Sequence, residues 1–149
     1  MQSISDLAKE ITMDTAQTLC KDATYIPEEK LDWSPMDYGK SANALLSECA
    51  KANFGIASVI SGKKPAAPKE NMDFSELKSH VIDSAKEVCK AIDSISDKDL
   101  EGGIQLPWGP VMPASRAIFL PASHMSYHDG QINYIQLLLG DTKFHWIEE

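Results

Sequence analysis

The sequence predicts an all-α protein, a four-helix bundle with a bent last core helix and a longer connector before that helix. Four stretches of roughly 20 residues repeat apolar side chains at three- and four-residue steps, which is the period of an amphipathic helix. Glycine and proline separate these stretches, and no internal repeat interrupts them. The chain has 149 residues, of which 43% are hydrophobic, so we expect one domain, residues 1–149, with its own core.

The first helix is predicted from Ser3 to Asp22, where apolar residues recur on one face. A short helical turn is expected over residues 26–31, because Pro27 stands at an early position that proline favours. Residues 31–35 are expected to form an extended connector, since a residue that precedes a proline is biased away from the helical conformation.

The second helix is predicted from Ser41 to about Ser61, and Gly62 is typical of a helix end. A proline-flanked loop over residues 65–68 leads to the third helix, predicted over residues 73–94. The apolar residues that define these two helices are Leu45, Cys49, Ala52, Ile56, Leu77, Val81, Ala85, Val88 and Ile92.

The last core helix is expected to begin through Pro113 and to end near Leu139. Pro121 lies inside it and predicts a bend or a local break about one turn before His124. Residues 104–110 are expected to be extended, as one arm of a short hairpin in the longer connector. These elements together favour a helix bundle.

Charge and cysteine content narrow the classes of function. The formal charge of −8 argues against nucleic acid or an anionic membrane as a partner. No apolar run approaches the roughly 20 residues of a spanning helix, and the polar N-terminal segment lacks the apolar stretch of a secretory signal. Cys20, Cys49 and Cys89 are scattered, which is typical of neither a disulfide framework nor a zinc knuckle. We expect reduced thiols in a cytoplasmic, bacterial protein.

His124 and His128 carry the first chemical signal. They are four residues apart on one predicted helix face, so their imidazoles can converge on one ion. Imidazole suits zinc, nickel, copper and iron. No glutamate follows the first histidine, which excludes the HExxH pattern of thermolysin-like proteases. The spacing alone favours two hydrogen-bonded core histidines over a metal site.

A third ligand is offered by the second helix. Glu48 interrupts an otherwise apolar strip, and a carboxylate is costly to bury unless it is paired or bound to a metal. The alternative is an exposed glutamate that pairs with a lysine such as Lys51. The neighbouring Cys49 is expected to be a small core residue, because free cysteines are usually buried for packing.

The stretch HMSYHDGQINYIQLLLGD, residues 124–141, resembles the last core helix of the DinB-like family, whose pattern there is HxxxHxGQ followed by a leucine-rich end and a glycine. LDWSP, residues 31–35, is similar to the family segment that precedes its second helix. Residues 45–53 are similar to the family's LLxHxxxxN segment, and Trp108-Gly109 also fits. The resemblance therefore covers most of the chain.

This resemblance implies a four-helix bundle that binds a divalent metal, commonly nickel or zinc, through three histidines. It also implies a homodimer. Characterised members include S-transferases that use low-molecular-weight thiols such as bacillithiol or mycothiol. The small-molecule substrate of many members is not known.

The sequence departs from the family pattern at one ligand, since Glu48 stands where the first histidine is expected. The implied metal site is therefore Glu48, His124 and His128, which still suits zinc, nickel or iron. A metal held there would activate a thiol or water for transfer or hydrolysis. Around the site, the candidates for orienting a ligand or forming the pocket wall are Asp129, Gln131 and Trp108.

A second hypothesis follows from the same substitution. If the glutamate marks the loss of the metal, the bundle is a small-molecule binding protein or an interaction protein. The two remaining histidines do not join the site by spacing. His80 is expected at the surface or rim of the third helix, and His145 belongs to an aromatic patch near the end of the chain.

Overall fold

A computed structural model describes residues 1–65, 67 and 69–146 of the chain. The predicted all-α bundle is confirmed, and a two-stranded hairpin is its only sheet among these residues. The elements are α1 (Ile4–Ala23), a 3₁₀ turn (Glu28–Lys30), α2 (Ala42–Ser61), α3 (Phe74–Asp93), α4 (Asp97–Leu100), β1 (Gly103–Gln105), β2 (Val111–Pro113), α5 (Ala114–Ala117) and α6 (Leu120–Leu138). None of the described helices is long and apolar enough to cross a membrane.

Short polar side chains begin the three long helices that precede the hairpin. Ser3, Ser41 and Asp73 each accept a hydrogen bond from a backbone N–H in the first turn. Asp73 and Glu76 form a reciprocal capping box at the start of α3. Gly62 ends α2 in the left-handed conformation, with φ of 68°, which glycine adopts without the strain of a Cβ.

Two core clusters define how the helices run. The first joins the C-terminal halves of α1 and α6 to the N-terminal halves of α2 and α3, and its members include Ala16, Leu19, Leu45, Leu46, Leu77, Val81, Ile132 and Ile135. The second joins the opposite halves through residues such as Ala8, Ala57, Val88, Ile92 and Ile118. Consequently α1 and α6 run in one direction, and α2 and α3 both run in the other.

This topology makes the link between α2 and α3 a long return. Because the two helices are parallel, the chain has to travel back along a helix of 20 residues, or about 30 Å, before α3 begins. We call residues 63–73 the crossover segment. Within the loop predicted over residues 65–68, Ala66 and Pro68 lie outside the described residues.

The predicted bend in the last core helix is confirmed, and it is a break rather than a smooth curve. The helical run divides into α5 and α6 at Ile118 and Phe119. Pro121 lies in the first turn of α6, where its missing N–H has no intrahelical partner to lose. The break therefore starts α6 afresh about one turn before His124 and sets the direction in which its histidines project.

Candidate metal centre

His124 and His128 lie one turn apart on the face of α6 that looks toward α2. Their Nε2 atoms are 3.1 Å apart, and the two rings stand nearly perpendicular, at 86°. His128 is buried, whereas 31% of the His124 side chain is exposed. The i, i+4 spacing thus produces a converging pair of nitrogens at the edge of the core.

Glu48 meets this pair from the facing helix. Its Oε1 lies 3.9 Å from Nε2 of His124 and 3.5 Å from Nε2 of His128. Its other oxygen, Oε2, forms an ion pair with Nζ of Lys40, which precedes α2. One carboxylate oxygen therefore faces the two imidazoles, and the other is held by a lysine.

The three donor atoms fit a small divalent ion. The nearest point equidistant from Oε1 of Glu48 and the two Nε2 atoms lies in their plane, about 2.05 Å from each, inside the roughly 2.0–2.2 Å range of zinc–nitrogen and zinc–oxygen bonds. Two imidazoles and one carboxylate form a donor set that zinc, nickel and ferrous iron accept. Three protein ligands also leave a coordination position open, as in catalytic metal sites.

The electrostatics favour the ligand forms of these groups. The hydrogen bond and charge of Lys40 hold the pKa of Glu48 below its usual value, so that the carboxylate is ionised near neutral pH. Burial, followed by the nearby His128, lowers the pKa of His124 and favours its neutral imidazole. Metal ligands have to be deprotonated, and an ionised carboxylate and a neutral imidazole are the forms that can bind an ion.

Gln131 forms a hydrogen bond with Nδ1 of His128, the ring nitrogen that faces away from Glu48. Nδ1 of His128 donates to Oε1 of Gln131 at 2.5 Å, so in the neutral imidazole Nε2 is the nitrogen whose lone pair can bind a metal. Nδ1 of His124 is buried and has no hydrogen-bond partner among the described residues. The ring of Tyr127 lies with its centroid 5.2 Å from that of His128. Gln131 is thus the side chain that fixes a tautomer at this centre.

Two clefts meet at the donor atoms. The first has a volume of about 1070 Å³ and the second about 1030 Å³, and both are lined by Lys40, Glu48, His124 and Tyr127. Apolar and aromatic side chains extend the first cleft, including Met36, Tyr38, Leu45, Tyr134 and Leu138. Trp108, which is 66% exposed, lines the second cleft with Ala52, Ile56 and Leu120. The donor atoms therefore stand where two adjoining clefts meet.

No family model matches the sequence, and no curated protein matches it. Solved structures match the fold over nearly the whole chain. A DinB-like protein from Bacillus subtilis, YjoA, superposes with a TM-score of 0.72 at 15% identity, covering 96% of this chain and 98% of that one. YfiT from Bacillus subtilis, described as a probable metal-dependent hydrolase with an unusual four-helix bundle topology, gives 0.73 at 13% identity and covers 91% and 87%. The chain has the DinB-like fold.

A third match concerns a protein with a named cosubstrate. A mutant of the mycothiol-dependent maleylpyruvate isomerase superposes on this chain with a TM-score of 0.68 at 10% identity. The match covers 89% of this chain and 63% of the isomerase. At this level of identity, the likeness concerns the arrangement of helices.

Cys49 lies closer to the two histidines of the candidate metal centre than the sequence indicates. Its Sγ and one nitrogen of each histidine lie within 4.8 Å of one another, so the sulfur is a second candidate for the third ligand. Cys49 is fully buried, and burial, reinforced by the charge of Glu48, raises the pKa of its thiol to about 12. An apolar stripe predicts burial but does not show how near a buried sulfur comes to another helix.

Asp129 lies on a different side of α6 from the imidazole pair. Its carboxylate accepts from Nδ2 of Asn133 at 3.2 Å, beside the buried Asp22 of α1. Burial and the charge of Asp22 raise the pKa of Asp129 to about 7. The structure therefore brings Gln131 to the histidines and directs Asp129 toward α1.

The two remaining histidines lie outside the centre. His80 is only 7% exposed, and its ring centroid lies 5.0 Å from that of Phe54, in the groove between α2 and α3. It is therefore more deeply placed than the surface position expected for it. His145 stacks on Tyr25, with ring centroids 3.6 Å apart, and its Nε2 bonds Asp141 at 2.7 Å. That aromatic contact joins the segment after α6 to the turn that follows α1.

Proposed function

We propose that the chain holds a divalent metal ion through Glu48, His124 and His128 and uses it to activate a low-molecular-weight thiol for transfer to a second small molecule. The observation that carries the metal is the common point about 2.05 Å from all three donor atoms. The neutral imidazole of His124 and the ionised carboxylate of Glu48 support it.

The bound ion would supply Lewis acidity, lowering the pKa of a thiol or water at its open position. The side chains around it prepare that position. Gln131 accepts from Nδ1 of the neutral His128 ring, so Nε2 is the nitrogen that would bind the ion. Lys40 holds Oε2 of Glu48, so Oε1 is the oxygen that faces the histidines. Tyr127 forms a wall common to both clefts.

The two clefts favour transfer over hydrolysis. A hydrolase needs one organic substrate and water, whereas a transferase has to hold two organic molecules beside the same reacting atoms. Each cleft is slightly larger than the roughly 300–1,000 Å³ that is usual for small-molecule sites, and both open at Glu48 and His124. The mycothiol dependence of one structural neighbour is consistent with a thiol in one of them.

Elemental analysis of protein purified without a histidine tag tests the metal. We expect close to one zinc, nickel or iron per chain, and a sharp loss in His124→Ala and His128→Ala. His145→Ala is the matched control, because His145 contacts Tyr25 and Asp141 rather than the centre. A wild-type protein that stays free of metal after supplementation would contradict the proposal.

Cobalt substitution tests the thiol. Addition of L-cysteine or mercaptoethanol to the Co²⁺-loaded protein should change its visible spectrum, since a thiolate is a softer ligand than water. L-Serine at the same concentration is the control. An unchanged spectrum with both thiols would remove the thiol from the proposal while leaving the metal in place.

One observation favours the second hypothesis, a metal-free small-molecule binding protein. Lys40 already neutralises Glu48, so the cluster does not need an ion to balance the carboxylate. The two large clefts would then be the functional feature. The metal content of the wild type distinguishes this reading from the first. Assembly as a homodimer stays a prediction, which sedimentation velocity would test.

A further inference from the structure

A third cleft lies in the groove between α2 and α3, and Lys63, Lys64, Pro65, Ala67 and Lys69 of the crossover segment also line it. Its volume is about 570 Å³, and it shares no lining residue with the two clefts at the metal centre. We call it the lysine cleft, because five lysines line it: Lys63, Lys64, Lys69, Lys86 and Lys90. The topology accounts for this position, because the crossover segment has to run back along α2 to reach the start of the parallel helix α3.

The charge of the lysine cleft opposes that of the whole chain. Five of the 14 basic residues stand around it, although the chain carries a net charge of −8. Two carboxylates also line it, but Asp83 pairs with Lys86 and Glu87 pairs with Lys90. Five lysines and two carboxylates leave a formal charge of +3.

The lysines of the crossover segment carry this excess. Lys63, Lys64 and Lys69 are exposed and make no ion pair among the described residues. Like charges at the mouth of one cleft repel each other, and a cleft with low-dielectric walls concentrates their field. An anion bound between them would relieve that repulsion.

The floor of the lysine cleft is less polar than its rim. Phe54, Ala57 and Ala91 contribute apolar surface, and the Phe54 ring lies against the ring of His80. His80 is 7% exposed, and neither of its ring nitrogens has a hydrogen-bond partner among the described residues. Burial, followed by the charge of Lys69, lowers the pKa of His80, and Asp83 acts in the opposite direction.

We propose that the lysine cleft binds a small organic molecule that carries a diphosphate or triphosphate. Its phosphates would contact Lys63, Lys64 and Lys69, and its organic part would lie on Phe54 and Ala57. A diphosphate or triphosphate matches three unpaired ammonium groups better than a single carboxylate does, because each of its phosphate groups can accept from one lysine. A volume of about 570 Å³ suits a ligand of nucleotide size.

Isothermal titration calorimetry with ADP, pyrophosphate and adenosine tests this site. We expect ADP to bind most tightly, pyrophosphate more weakly and adenosine least. The double variant Lys63→Gln/Lys64→Gln should weaken ADP binding by roughly tenfold or more, because charge-assisted hydrogen bonds are lost. Lys98→Gln/Lys143→Gln is the matched control, since it removes the same charge at exposed positions outside the cleft. The control should bind ADP like the wild type.

Two further measurements locate the bound anion. ADP should shift the NMR signals of the His80 ring and leave those of His145 unchanged. The His124→Ala variant should bind ADP with wild-type affinity, which separates this site from a phosphate on the metal and makes its outcome independent of the proposed transferase. The proposal is overturned if none of the probes binds, if the two double variants weaken ADP equally, or if His124→Ala abolishes binding. Pyrophosphate binding as tight as that of ADP would overturn the role of Phe54 and Ala57.

Discussion

Lys40 and Glu48 divide the two oxygens of one carboxylate between a lysine and a pair of histidines. Nζ of Lys40 pairs with Oε2, and Oε1 lies 3.5 Å from Nε2 of His128. The ion pair keeps the carboxylate ionised and orients it, although Glu48 is one-third exposed. A single glutamate can therefore occupy the position at which the family resemblance implies a histidine.

Glu48 and Cys49 can be separated as third ligands by their variants. Glu48→Gln removes the anionic donor at nearly constant shape, and we expect metal affinity to fall more than about 100-fold, beyond what the loss of an outer partner costs. Glu48→His should retain near-stoichiometric metal. Cys49→Ser should also retain it, because the buried thiol, with its pKa near 12, is the poorer donor. Competition with a chelating dye measures each affinity.

The opposite pattern would assign the third position to sulfur. If Cys49→Ser loses the metal and Glu48→Gln keeps it, the centre is the Cys49, His124 and His128 group. Cobalt-loaded wild type would then show a thiolate charge-transfer band before any thiol is added. Unfolding midpoints of both variants distinguish a lost ligand from a lost fold.

Gln131 should tune metal affinity without touching the metal. Gln131→Leu removes the acceptor of the His128 Nδ1 proton, and losses of such partners cost about 10- to 100-fold in affinity. Gln131→Glu keeps an acceptor and should stay close to the wild type. Gln17→Leu, at an exposed position on α1, is the matched control. Equal affinities for Gln131→Leu and the control would show that this hydrogen bond does not orient the ligand.

The periodic pattern predicts helices because burial along one helix is a local property of spacing. It therefore locates α1, α2 and α3 and the Pro121 break. The four-residue helix α4 is too short to show a period. The direction of neighbouring helices is a tertiary property, so the parallel pair α2 and α3, and with it the lysine cleft, cannot be predicted from any single stretch.

Around the candidate site, too, the helical spacing predicts some of the side-chain positions, and the packing of helices determines the others. His124, His128 and Gln131 share one helix face, so spacing brings them together. Asp129 stands one residue beyond His128, about 100° around the helix, and so it points to Asp22 on α1. Cys49 on α2 faces the imidazoles on α6, and only the packing of these two helices determines the distance between them.

His80 should make the stability of the protein depend on pH. Its folded pKa is lowered, mainly by burial and also by Lys69, with Asp83 acting in the opposite direction. The unfolded chain therefore binds a proton there more readily, and stability falls as the pH drops through about 6.5. The slope from this residue cannot exceed about 1.4 kcal/mol per pH unit. His80→Gln should reduce the loss of unfolding free energy between pH 7.5 and 5.5 in urea titrations, and an unchanged loss would contradict the prediction.

Substitutions on the buried and exposed faces of α6 should differ in how much unfolding free energy they cost. Ile132 is fully buried in the first core cluster, and Ile132→Ala should cost about 2–5 kcal/mol of unfolding free energy through the lost burial and the cavity. Leu137 is 51% exposed on the same helix, so Leu137→Ala should cost less than about 1 kcal/mol. Urea denaturation of both variants measures the difference. Ile132 and His128 are four residues apart and lie on one face, so equal costs would mean that α6 is rotated away from the orientation that brings His128 to Glu48.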